Sequence, residues 1–207
     1  MTETLAGEGF TVREATPADL ESARALMVRT FTEDFGYGLQ PDIHQDVIDL
    51  QGYYLDHPRQ QLFVAVGSDG EVIGTAAIRQ GGTRTPPHPA WLAARYAPER
   101  TCELQRVYVA PEHRRRGVGR LLVEAARRWV VAEGNYDTVC LHSNVERVGA
   151  DTFWWAIASE VHDARPTPFN TVHFELPLGR PVPGTDVQAL RKPTNTPNRP
   201  TSRRSAE

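Results

Sequence analysis

The stretch with the plainest chemical content runs Val107-Tyr108-Val109-Ala110-Pro111-Glu112-His113-Arg114-Arg115-Arg116-Gly117-Val118-Gly119-Arg120-Leu121-Leu122. Apolar alternation ends, a basic turn follows, and an amphipathic helical pattern starts at two glycines. Gly117 and Gly119 have no Cβ, so the backbone there can approach a ligand and aim several N–H groups at one point. Those amides fall at a helix N-terminus, where unpaired donors and the helix dipole favour an anion. Arg114, Arg115 and Arg116 add formal positive charge, and Arg120 follows within the first helical turn. Such a loop suits a pyrophosphate. It lacks the Gly-Lys-Ser/Thr ending of a P-loop and the three glycines of a dinucleotide fingerprint. The competing reading is a strand-to-helix turn with solvated arginines.

The elements that must hold this loop alternate along the chain. Phe10–Glu14 reads as a short strand, and Thr16-Pro17-Ala18-Asp19 as a helix start: Thr16 caps, Pro17 suits the first turn and Asp19 reaches back. Leu20, Ala23, Met27 and Phe31 continue the stripe, and Ile43, Val47, Leu50 and Tyr54 predict a weaker helix over 42–55. Residues 62–66 and 71–78 read as strands joined by Ser68-Asp69-Gly70, a hairpin signal. A Pro-bearing connection over 81–100 is long enough to suggest a functional loop. A strand over 102–109 leads into the basic turn and a helix over 117–133. That helix buries Val118, Leu121, Leu122, Ala125, Trp129 and Ala132, with Glu124 and Arg128 paired on its outside. Residues 138–142 predict a strand, 148–157 a helix, and 160–163 and 171–178 two more strands. The pattern is α+β, with helices flanking one sheet.

Composition bounds the function. The chain has 207 residues, 23 basic and 26 acidic side chains, and a net charge of −3. That near-neutral balance argues against a dedicated nucleic-acid binder. No apolar run approaches the ~20 residues of a membrane span, and residues 1–8 carry no secretory pattern, so a cytoplasmic protein is expected. Lys192 is the sole lysine. The segment 179–207 holds Arg180, Arg191, Lys192, Arg199, Arg203 and Arg204 against Asp186 and Glu207, and five prolines interrupt it. It reads as a disordered basic tail, residues 1–9 as a flexible N-terminus, and 10–178 as the domain. The remaining body is acidic, which modestly favours a cationic acceptor. Cys102 and Cys140 read as small buried strand residues. His44, His57, His88, His162 and His173 are scattered without zinc-ligand spacing, so no metal is expected.

Arg114-x-x-Gly117-x-Gly119, with Val107 to Glu112 before it, resembles the acyl-CoA signature of the GNAT N-acetyltransferase superfamily. The likeness extends over about residues 10–178, and Val12 to Leu20 is similar to that family's opening strand and helix start. It implies a central mixed, mostly antiparallel sheet flanked by helices. It also implies that the backbone of Val107, Tyr108 and Val109 meets the pantetheine arm of acetyl-CoA. Arg114 to Arg120 would hold the pyrophosphate, and Asn144 would meet the pantetheine from a second strand. The implied reaction is direct attack of a primary amine on the acyl-CoA thioester. A small-molecule amine and a protein N-terminus or lysine are both open as acceptor, and the small molecule is favoured because no groove signature for a peptide can be read. Glu103 is similar in position to the base glutamate of histone-type members. Six residues before Val109, it is expected on the same strand face. The family's thiolate-protonating tyrosine is replaced by Trp154, and an indole N–H is no general acid. Tyr108, Ser143, His142 or water then supplies the proton, or the thiolate leaves without one. Loss of catalysis is the alternative, leaving an acyl-CoA-binding sensor or partner-binding module; Trp154 and Trp155 otherwise read as core. His142, alternating with Cys140, reads as a packed histidine. Asp34, Phe35, Tyr37, Tyr54 and the 81–100 connection would flank the acceptor. The expected partners are acyl-CoA and the amine, with a homodimer open and neither nucleic acid nor membrane.

Overall fold

The computed structural model describes residues 3–84, 87–145, 150–166 and 170–185. In chain order the strands are β1 (Leu5–Gly7), β2 (Phe10–Glu14), β3 (Gln61–Gly67), β4 (Val72–Gln80), β5 (Thr101–Val109), β6 (Thr138–Asn144), β7 (Ser159–Asp163) and β8 (Thr171–Glu175). The helices are α1 (Leu20–Arg29), α2 (Gln45–Ile48), α3 (Ala90–Ala94), α4 (Val118–Glu133) and α5 (Ala150–Ile157). One sheet runs β1-β2-β3-β4-β5-β6-β8-β7, antiparallel except for the parallel β5–β6 pair. The α+β fold expected from the sequence is the one observed.

Period-two alternation divides the strand residues between two layers. Phe63, Ile78, Leu104, Leu141 and Phe174 meet α4 and α5 on one face, with Leu122, Trp129 and Trp154. Leu62, Val64 and Ala77 meet α1 and the segment around α2 on the other, with Met27, Phe31, Leu50 and Tyr54. The α3 turn, from the long connection, packs Leu92 and Tyr96 over Cys140 of β6.

Three boundaries differ from the expectation. Residues 5–7 are a strand, not a flexible end: Leu5 pairs with Val12 and is fully buried, and Gly9 at φ 78° turns the chain between them. The 42–55 helix is broken because Asp49 leaves helical dihedrals and its carboxylate accepts the Gly52 N–H at 2.9 Å, restarting the chain as the wide turn Gln51–Leu55. Glu124 does pair with Arg128, at 2.8 Å, but in the interior. It is 0% exposed, also accepts from Arg127, and takes the Val182 N–H at 3.0 Å. The stretch 179–185 therefore packs on α4, with Val182 and Thr185 buried. The rest of the expected tail, 186–207, lies outside the described residues.

Candidate active site

At the cradle, Gly117 caps α4 at φ 82°, ψ −3°, a left-handed conformation that disfavours any side chain. At Gly119 an added Cβ would lie 3.4 Å from the Phe153 ring and 3.8 Å from Val109. Val118 between them is buried and anchors the turn. The arginines do not all converge on this point. Arg114 turns back, donating through Nε to the Val109 carbonyl at 2.9 Å and pairing with Asp34. Arg116 reaches His113 and the Glu8 carbonyl. Arg115 makes no ion pair among the described residues. Arg120, in the first turn of α4, has a buried Nε with no partner there. Free helix-start amides and a left-handed glycine fit a pyrophosphate; the Arg120 guanidinium lies against Gly184.

The adjoining strands open a wedge. β5 and β6 pair only from Thr101–Thr138 to Glu103–Cys140, after which β6 pairs with β8 alone. Beyond Glu103 the β5 backbone has a ladder partner only in β4, leaving one edge for an extended ligand arm. Within this half, β5 carries a bulge: Thr75 faces Tyr108 while Ala77 faces Gln105, so Arg106 and Val107 together oppose Ala76. Arg106 takes φ 55°. The extra residue reverses the alternation. Val107 and Val109 join Leu104 against α4, while Tyr108 falls on the α1 face with Gln105 and Glu103. Glu103 and Val109 therefore lie on opposite faces, contrary to the spacing argument. Asn144 ends β6 opposite Thr171, on the far side of the wedge from β5.

A buried ion pair fixes the bulge. Asp46 accepts from Arg106 Nε and Nη2 at 2.8 and 2.7 Å and from the Tyr54 hydroxyl at 2.6 Å. Tyr54 also accepts from Gln105 and is fully buried, so it supports the site instead of lining the acceptor space as expected. Above the pair, Phe31, Phe35, Tyr37, His44 and Tyr108 form a ring cluster, with His44 stacked on Phe31 at 4.2 Å.

Glu103 is buried, its side chain 4% exposed. One carboxylate oxygen accepts from Arg79 Nη2, and the other lies 2.8 Å from His142 Nδ1. Burial pushes this carboxyl up, but the His142 hydrogen bond and the charges of His142 and Arg79 outweigh it, and the pKa falls to about 2. His142 is not packed away; 38% of its side chain is exposed. It lies in register with His173 of β8, which pairs in turn with His162 of β7. His88, from the 81–100 connection, covers the row, its ring 4.6 Å from His142 and 4.8 Å from His173. Burial and the neighbouring imidazoles lower His88 to about 4 and His173 to about 3. No group of side chains suited to hold a metal occurs among the described residues. This cluster escaped the spacing argument because sheet order, not sequence, brings positions 88, 142, 162 and 173 together.

Trp154 is core, buried against Phe153. Trp155 is not; its exposed indole donates to Glu160 at 2.8 Å, and Arg165 lies over its ring. No helix among the described residues is long and apolar enough to cross a membrane.

Known proteins resemble this chain in sequence and fold. The acetyltransferase (GNAT) family model matches residues 21–154. The aminoglycoside N(6')-acetyltransferase type 1 of Stenotrophomonas maltophilia is 28% identical over 173 residues, 81% of this chain and 94% of that protein. The streptothricin acetyltransferase of Streptomyces lavendulae is 29% identical over 120 residues, 58% of this chain and 47% of that one. Among solved structures, a GNAT-family acetyltransferase of Staphylococcus aureus Mu50 superposes with a TM-score of 0.61 at 14% identity, over 82% of this chain and 99% of that one.

Proposed function

The chain belongs to the GNAT acetyltransferase family and is an acyl-CoA-dependent N-acetyltransferase, and we propose that its acceptor is the primary amine of a small molecule. The observation that supports acyl-CoA binding is the wedge between β5 and β6 ending at the left-handed Gly117 cradle; the acceptor reading rests on the named relatives. Val107, Tyr108 and Val109 offer backbone to a pantetheine arm. Val118, Gly119 and the amides around them, with Arg115 and Arg120, receive the pyrophosphate. Arg114 and Arg116 shape the loop through Asp34, the Val109 carbonyl and the Glu8 carbonyl. Asn144 closes the wedge from β6.

The amine attacks the thioester carbonyl only when neutral, so its proton must be taken up near the acyl carbon. Glu103 is the carboxylate of this site, and at a pKa of about 2 it stays ionised. A base that weak accepts a proton from an ammonium inefficiently at neutral pH. Its contribution is a fixed negative charge beside the reacting groups. Tyr108, half-buried on the same face, is assigned the proton of the departing thiolate. A sensor without catalysis rested on Trp154, whose burial against Phe153 accounts for it as packing.

Two relatives, one named an aminoglycoside N(6')-acetyltransferase and one a streptothricin acetyltransferase, support a small-molecule acceptor. The test is thiol release from acetyl-CoA across aminoglycosides, polyamines, amino acids and lysine peptides. Preferential acetylation of a small amine is expected. A peptide acetylated with the higher kcat/KM overturns the acceptor assignment.

A further inference from the structure

We propose that His142 is the general base of the transfer, held in its reactive tautomer by Glu103, which Arg79 positions in turn. This deepens the acyltransfer reading and rests on it. The argument starts from Glu103, whose two oxygens are both engaged, one by Arg79 and one by His142 Nδ1. A carboxylate so held is ionised and only accepts. His142 Nδ1 must then be the donor, and the lone pair stands on Nε2. Glu103 is buried beneath its two partners, whereas 38% of the imidazole is exposed. An amine approaching this face meets the ring before it can meet the carboxylate. The arrangement repeats the physical logic of a carboxylate–histidine pair: the buried acid fixes the tautomer and stabilises the imidazolium that forms.

The neighbouring rings leave this role to His142. His173 is 1% exposed, and its two nitrogens have no partner among the described residues, so protonating it would bury an uncompensated charge. His88 packs on both rings and has no hydrogen bond to a carboxylate among the described residues, and His162 lies on the far side of His173. Of the four, His142 is the one bonded to an anion. Arg79 fixes that anion, while Arg79 Nη2 also donates to the Gly82 carbonyl and ties the start of the 81–100 connection to the dyad.

In the step itself the amine nitrogen bonds to the acyl carbon and the carbon–sulfur bond breaks. The amine proton passes to His142 Nε2 and on to water, while Tyr108 protonates the thiolate and regains its proton from water, leaving amide and free CoA. The test compares wild type with H142Q, H142A, E103Q and H162Q on the best amine of the panel. H142Q should lower kcat by about 10²–10⁴-fold, the range of general-base catalysis, with the acetyl-CoA Kd held within about twofold. Added imidazole should restore part of the H142A rate, which a merely structural role does not allow. E103Q should shift the acid limb of kcat/KM to lower pH, because the imidazolium loses its counter-charge. H162Q, in the same cluster but outside the dyad, should retain its rate. An H142Q enzyme at full rate, or an H142A enzyme indifferent to imidazole, overturns the assignment and leaves the acyltransferase intact. A wild-type protein that binds acetyl-CoA and acetylates no amine overturns both.

Discussion

Asp46→Asn should destabilise this protein strongly although it keeps the side chain's shape. Asp46 and Arg106 are 6% and 15% exposed, and the carboxylate accepts three hydrogen bonds, two from Arg106 and one from Tyr54. Burial pushes the Asp46 carboxyl up, but the Arg106 hydrogen bonds and charge pull it lower overall. The substitution leaves a guanidinium enclosed by Phe31, Tyr54 and the bulge, with no anion beside it. Removing one partner of a buried pair costs about 3–5 kcal/mol, and at about 2–4 °C per kcal/mol in a domain of this size Tm should fall by roughly 6–20 °C. Function should suffer separately, because Arg106 carries the left-handed backbone that reverses the strand and aims Val107 to Val109 at the wedge. Acetyl-CoA binding by calorimetry, at a temperature where the variant is folded, should weaken. Replacing both partners, Asp46→Leu with Arg106→Met, should recover most of the stability and little of the binding. The reasoning fails if Asp46→Asn costs less than about 1 kcal/mol in urea titration, the value of an ordinary hydrogen bond. It also fails if the double variant is no more stable than the single one.

Three further outcomes follow from the same geometry. Gly117→Ala forces a side chain into a left-handed conformation at φ 82°, costing about 1–2 kcal/mol, and it should weaken acetyl-CoA binding more than it lowers Tm. Truncation after Leu178 removes buried Val182 and one of the hydrogen bonds that Glu124 accepts, Arg127 still donating to the same oxygen; the lost bond alone costs about 0.5–1.5 kcal/mol and the uncovered apolar surface adds to it, so Tm should fall by several degrees in differential scanning calorimetry. His88 and His173 titrate at about 4 and about 3 in the fold but near the ordinary histidine value when unfolded. Between that value and the folded pKa the unfolded chain binds more protons, so stability must fall as pH drops below about 6.5. His173→Phe should flatten that slope in urea titrations from pH 7 to 5, and an unchanged slope would show that His173 does not set it.

The cradle was legible because it is local. A strand, two glycines and an amphipathic helix within sixteen positions specify a turn whose amides converge, whatever surrounds them. The opening strand and helix start were readable for the same reason, since capping and alternation act over a few residues. The face of Glu103 was not. Counting by two assumes an unbroken ladder, and one extra residue at Arg106 reverses every side chain beyond it. Glu124 illustrates the same limit on a helix. Its spacing to Arg128 predicts the pair, but only the path of residues 179–185 decides that the pair is buried.

The sequence by itself therefore determined the strand-turn-helix suited to an anion, and with it the family, because short-range backbone chemistry writes both. Tertiary structure alone decided which groups surround Glu103. His88, His142, His162 and His173 stand far apart along the chain. They meet because β8 lies between β6 and β7 and the long connection folds over them. Glu103 is held by Arg79 across the β4–β5 ladder and by His142 from β6. A titratable side chain's role depends on its burial and its charged neighbours, and these are fixed by strand pairing over long separations.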